Sequence, residues 1–248
     1  MKKIKTPTIL FLFFLSVFSF SASYEQLVLS LSSSNTRDQI HAAIFLQKLA
    51  VNSESHYKAF KAGAIPPLAT LFKKGQTKEV KDTAFFTLKV LSYYHEEIRK
   101  AIYDEGLIPL VSLRLKNKKI EDQLETLEFL SYFAGDSTEV RETLCEKTIM
   151  GYLISFGKCS SKKKRSSGSQ NFLKRSFKSF SLLRKLSDGD KEIQTLMRRE
   201  KTHSFMLEQM IEAPTEELKR AAEFVYGNIA PISPEMLEEV PKRVCAIL

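Results

Sequence analysis

The chain has 248 residues, 43% of them hydrophobic, enough for one domain of ordinary size or a small solenoid with a packed core. Its three cysteines, Cys145, Cys159 and Cys245, are odd in number and widely spaced, which excludes a disulfide framework and a zinc site with paired ligands. Cys145 and Cys159 are expected to be reduced, partly buried thiols, and the chain has no Asn-x-Ser/Thr sequon.

The first segment, Met1 to Ser23, opens on Lys2, Lys3 and Lys5 and continues as an almost unbroken apolar run from Ile9 to Phe20, ending in Ser21-Ala22-Ser23. That layout predicts a signal peptide, since the run is shorter than the roughly 20 apolar residues a transmembrane helix needs. The remaining charge is uneven. The formal net charge of +9 includes three lysines in residues 1–23; residues 24–157 balance 17 basic against 17 acidic side chains, and 158–201 hold 14 basic against 4 acidic. A patch of that kind faces phosphates, an anionic membrane surface or an acidic protein surface.

Helical repetition dominates the rest. Ala42-Ala43-Ile44-Phe45-Leu46-Gln47-Lys48-Leu49 is matched by Ala84-Phe85-Phe86-Thr87-Leu88-Lys89-Val90-Leu91 and by Ala222-Glu223-Phe224-Val225-Tyr226-Gly227-Asn228-Ile229. Each has a small residue, a large one four later and an aliphatic three after that. Weaker copies carry Leu127 with Leu130 and Leu183 with Leu186. With Leu46, Leu88, Leu127, Leu183 and Tyr226 as equivalent points the period lies near 40, that of helical solenoids. The copies predict helices ending near Leu49, Leu91, Leu130, Leu186 and Ile229. The one long interval contains Ser160 to Ser169, polar and Gly/Ser-rich around Lys162, Lys163, Lys164 and Arg165, which reads as an inserted basic loop spanning 158–169.

A second landmark is the turn Ala62-Gly63-Ala64-Ile65-Pro66-Pro67-Leu68, which recurs as Glu105-Gly106-Leu107-Ile108-Pro109-Leu110. Gly closes one helix in a left-handed conformation, and Pro sits in the first turn of the next, where its missing N–H costs nothing. This turn, followed by a small-x3-large-x2-Leu helix, resembles the armadillo repeat family over roughly residues 27–230, most strongly over 40–115. The resemblance implies an all-α, right-handed helical solenoid of about four to five degenerate repeats, occupying residues 24–240. It also implies three-helix repeats whose third helices line a concave face that binds extended or helical segments of partner proteins. Family members that carry nuclear import cargo present a Trp and an Asn there. This chain has Ile44, Phe86, Glu125, Ser181 and Phe224 at the Trp position and Lys48, Val90, Phe129, Lys185 and Asn228 at the Asn position, and it contains no Trp. Lys48, Lys89, Arg184, Lys185 and Asn228 are the residues expected to face a partner, one with an acidic segment.

Catalytic constellations are not found. His41, His56, His95 and His203 are isolated, which reads as surface or capping histidines, and no Gly-rich phosphate loop or nucleophile elbow occurs. No cofactor or metal is expected. The exposed tail 241–248 ends in Cys245-Ala246-Ile247-Leu248, a C-a-a-X box whose terminal Leu points to geranylgeranylation of Cys245. One lipid binds membranes reversibly, so a basic patch would supply the second attachment. The two ends conflict, because prenylation is cytosolic and a signal peptide leads to secretion. Three readings stay open: a protein-binding adaptor or scaffold tethered to the cytosolic face of a membrane by prenylation; a secreted pathogen or parasite effector acting on host proteins in the host cytosol; and a nuclear or nucleic-acid-associated protein using Lys162 to Arg165. The last lacks aromatic interleaving for base stacking.

Overall fold

The computed structural model describes residues 23–158 and 169–230. The described residues are helical, with no strand: α1 Tyr24–Leu31, α2 Thr36–Leu49, α3 Ser53–Lys61, α4 Ile65–Lys74, α5 Lys78–Leu91 and α6 Glu96–Asp104; then α7 Leu107–Ser112, continued by a 3-10 turn Leu113–Lys116, α8 Ile120–Phe133, α9 Thr138–Leu144, α10 Lys147–Gly157, α11 Ser169–Ser187, α12 Lys191–Arg199, α13 Thr202–Glu212 and α14 Glu216–Ile229. The chain forms two compact units that divide between Glu105 and Gly106. Residues 1–22, with the signal-peptide reading, most of the 158–169 insertion with Cys159 and Lys162 to Arg165, and the tail with Cys245 lie outside the described residues.

Local chemistry fixes where the helices begin. Ser23 and Gln26 form a capping box at α1, Asn35 accepts from the Arg37 N–H at α2, and Thr77 accepts from the Val80 N–H at α5. Thr215 repeats the Thr77 arrangement at α14, accepting from the Leu218 N–H. The Gly63 turn has φ +83° and the Gly106 turn φ +65°, and each leads into a helix with proline in its first turn. Between α12 and α13 the same left-handed step is taken by Lys201, at φ +60°.

Helices α2, α5, α8, α11 and α14 are the third helices of successive repeats. Three end at the predicted residues, Leu49, Leu91 and Ile229, while α8 and α11 run on to Phe133 and Ser187. The N-terminal unit, α1 to α6, closes over Leu31, Leu46, Leu68, Phe85, Leu88, Ile98 and Ile102. The C-terminal unit, α7 to α14, closes over Phe129, Phe133, Leu153, Phe180, Leu183, Met206 and Leu218. Each such side chain contributes about 1.5–3 kcal/mol on burial.

Burial corrects one register. Val80, Ala84, Phe85, Leu88 and Leu91 are buried along α5, and the same pattern on α8 falls on Thr126, Leu127, Leu130 and Phe133. Leu130, not Leu127, is therefore the equivalent of Leu88, and the first intervals are both 42 residues. Glu128 and Tyr132 replace Glu125 and Phe129 at the Trp and Asn positions; Phe129 is wholly buried. Two apolar residues three apart, Leu127 and Leu130, fit the sequence pattern equally well, and only packing separates them.

The fourth residue of each first helix performs one task. His56 on α3 sets Nε2 3.1 Å from the Ala50 carbonyl and Nδ1 3.4 Å from that of Leu91. Arg99 on α6 donates to Ser92 O at 3.1 Å, Arg141 on α9 to Leu186 O at 2.8 Å and Asp188 O at 2.9 Å, and Gln194 on α12 to Ser187 O at 3.0 Å. All these acceptors lie at or just beyond the C-terminal ends of third helices, where helical geometry leaves carbonyls without partners and the dipole favours positive charge.

Candidate functional site

Third helices bury the residues that pack and leave one stripe uncovered. In the N-terminal unit that stripe carries Ile44 on α2 and Phe86 on α5, one repeat apart and 38% and 36% exposed. Two residues beyond the C-terminal ends of these helices stand Val51 and Tyr93, 73% and 56% exposed. Lys48 is exposed beside them and Lys89 is half-buried. The two helices are tied beneath the stripe by Gln47, whose Nε2 donates to Thr87 Oγ1 at 2.8 Å, and by Thr87, whose hydroxyl lies 3.3 Å from Ala43 O.

In the C-terminal unit the stripe is charged. Across α8 and α11, Arg175 donates to Gln123 Oε1 at 2.9 Å, Lys178 pairs with Glu128 at 3.0 Å, and Lys185 donates to Ser131 O at 3.0 Å. Between α11 and α14 the surface opens into a groove of about 620 Å³. Phe177, Ser181 and Arg184 on α11, and Glu217, Arg220 and Phe224 on α14, follow spacings of three, four and seven residues and so line its two walls. The Arg184 guanidinium lies over the Phe224 ring, 4.5 Å from its centroid. Phe224 stays 40% exposed. Beyond the groove, Asn228 donates to Ser187 Oγ at 3.1 Å.

The five residues expected to face a partner thus have different positions. Arg184 lines the groove; Lys185 is exposed but spans to α8, and Asn228 is half-buried and spans to α11. Lys48 and Lys89 belong to the stripe of the N-terminal unit. Arg220 and Phe177 were not singled out from the sequence, although each stands four residues before a named position, Phe224 and Ser181, and so shares its face.

The remaining chemistry is structural. Cys145 is a free, buried thiol whose pKa is pushed up to about 12, chiefly by burial, which keeps it protonated and unreactive. His56 is buried, His95 sets Nε2 2.9 Å from Ser53 Oγ and 2.8 Å from Ser53 O, and no group of three His, Cys, Asp or Glu among the described residues could hold a metal. No helix among the described residues is long and apolar enough to cross a membrane.

No protein-family model and no curated protein matches the chain. Solved structures do. A computationally designed armadillo repeat protein for modular peptide recognition superposes with a TM-score of 0.70 at 18% identity, over 89% of this chain and 87% of that one. Another designed armadillo repeat protein, in complex with a (KR)4 peptide, gives 0.68 at 18% identity over the same shares. The armadillo-repeats-only protein from Plasmodium falciparum gives 0.69 at 13% identity, over 92% of this chain and 100% of that one. At these identities the likeness speaks of fold, and the fold of this chain is that of the armadillo repeat.

Proposed function

We propose that the protein is a binding scaffold that takes a segment of a partner protein on the uncovered face of its third helices, acting by recognition and not by catalysis. The observation that carries this reading is the exposure of large apolar residues at equivalent third-helix positions, Ile44, Phe86 and Phe224, in a fold that buries most of its other apolar residues. An exposed Phe at a recurring position costs solvation without adding to the core, and recurrence marks an interaction face. The structural neighbours designed for peptide recognition support a protein partner.

The partner segment carries acidic residues where it crosses α11, whose face presents Lys174, Arg184 and Lys185 exposed to solvent. Prenylation of Cys245 would add a membrane tether to the same scaffold; it rests on the C-terminal sequence motif alone, and intact mass of protein purified from eukaryotic cells tests it.

Paired substitutions test the scaffold reading. Phe86→Ala with Phe224→Ala should lower the recovery of co-purifying proteins, quantified by mass spectrometry, at least fivefold. Leu110→Ala with Leu113→Ala, which removes exposed apolar side chains from α7 and the 3-10 turn after it, should leave recovery unchanged. Equal loss in both variants would overturn the reading.

A further inference from the structure

The α11–α14 groove is built as an anion-reading subsite, and we propose that it takes the carboxylate of an acidic residue in an extended partner segment, with the neighbouring apolar residue of that segment against Phe177. This rests on the scaffold reading above and specifies the chemistry of one part of the face.

Charge balance within the groove carries the proposal. Four ionisable side chains line it: Arg184, Arg220, Glu216 and Glu217. Glu216 is already paired with Lys219 at 3.0 Å. Among the described residues neither Arg184 nor Arg220 has a carboxylate partner, so the lining sets two guanidinium groups, one on each wall, against one unpaired acid, Glu217. The groove therefore carries an uncompensated positive charge, held on the side chain best suited to grip a carboxylate through two parallel N–H donors.

Position adds to charge. The Arg184 guanidinium is held over the Phe224 ring, 4.5 Å from its centroid, so less freedom is lost when an anion binds. Arg220 stands one helical turn before Phe224, on the same face of α14. The half-buried ring of Phe177 gives the opposite wall an apolar surface. In an extended segment residues i and i+2 lie about 7 Å apart on one side, which suits an acid on the guanidiniums and an aliphatic side chain on the ring. A volume of about 620 Å³ is ample for these two side chains.

Three fluorescein-labelled octapeptides, each placing the test residue and a leucine two positions apart on one side, test the subsite on the full-length protein by anisotropy: two copies of Glu-Ser-Leu-Ser, of Gln-Ser-Leu-Ser and of Lys-Ser-Leu-Ser. The Glu peptide should bind at least tenfold more tightly than the Gln peptide, and the Lys peptide should not bind. Arg184→Gln with Arg220→Gln should weaken the Glu peptide at least tenfold without changing the Gln peptide. Glu217→Gln, which removes the opposing charge, should strengthen the Glu peptide two- to fivefold, a gain that misfolding cannot produce. Equal binding of Glu and Lys peptides, or parental binding of the Glu peptide by the double Arg variant, would overturn the proposal. If the double Arg variant binds normally while Phe86→Ala with Phe224→Ala still loses co-purifying proteins, the scaffold reading stands and the anion subsite falls; if neither changes anything, both fall.

Discussion

The buried imidazole of His56 lies between the carbonyls of Ala50 and Leu91, 3.1 Å and 3.4 Å from its two ring nitrogens, and so joins the ends of α2 and α5. A neutral ring has one N–H to donate, whereas the charged ring has two. Burial nevertheless dominates and holds the pKa of His56 below the usual histidine value, against the pull of the two carbonyls and helped by the nearby His95. Because the folded pKa is depressed, the unfolded chain takes up this proton first as pH falls below about 6.5. Stability from this group is therefore complete above that pH and is lost as pH falls through the folded pKa. Thermal unfolding followed by circular dichroism should show a melting temperature that drops between pH 6.5 and 5, and His56→Gln should flatten that drop. An unchanged slope in the variant would assign the pH dependence to other groups.

Arg141 holds the corresponding position on α9 with a permanent charge. Its guanidinium donates to Leu186 O, Asp188 O and, at 3.3 Å, to Asp190 Oδ2, and the side chain is only 13% exposed. Arg141→Ala should cost about 2–3 kcal/mol, because several charge-assisted bonds, most of them partly buried, are lost together. Arg141→Lys should recover only part of that, since a single ammonium cannot reproduce the planar fork. Urea denaturation of both variants measures the difference, and a loss below about 1 kcal/mol in the alanine variant would show that the carbonyls are satisfied in another way.

Lys201 takes a left-handed conformation in the turn where Gly63 and Gly106 stand in earlier repeats. The steric penalty of a side chain there is about 1–2 kcal/mol, and the greater freedom of glycine in the unfolded chain returns part of it. Lys201→Gly should stabilise the protein by about 0.5–1 kcal/mol. Destabilisation in urea would mean that the Lys201 side chain contributes a contact greater than the strain it carries.

How far the sequence discloses this structure depends on how many residues encode a feature. Third helices repeat over a dozen positions, so their ends at Leu49, Leu91 and Ile229 were legible from spacing alone. Register on α8 was not, because Leu127 and Leu130 satisfy the pattern equally until the buried Phe129 and Phe133 decide it. The carbonyl contacts of His56, Arg99, Arg141 and Gln194 stayed hidden because one task is performed by three residue types. Their common signal is position four of each first helix, which becomes readable only once helix starts are fixed. At the groove, Arg184 and Phe224 were legible as members of repeating helices, but their stacking arises from the approach of α11 to α14 and has no local signature.

The third-helix face is tested most directly by photo-crosslinking in cells that express the full-length protein. A benzophenone amino acid placed at Phe86 or Phe224 should give discrete crosslinks to a protein partner, and Arg184→Glu with Arg220→Glu should weaken those formed from position 224. The same probe at Leu110 or Leu113, equally exposed, should give none. Crosslinks confined to Leu110 and Leu113, with none from Phe86 or Phe224, would contradict binding on the third helices.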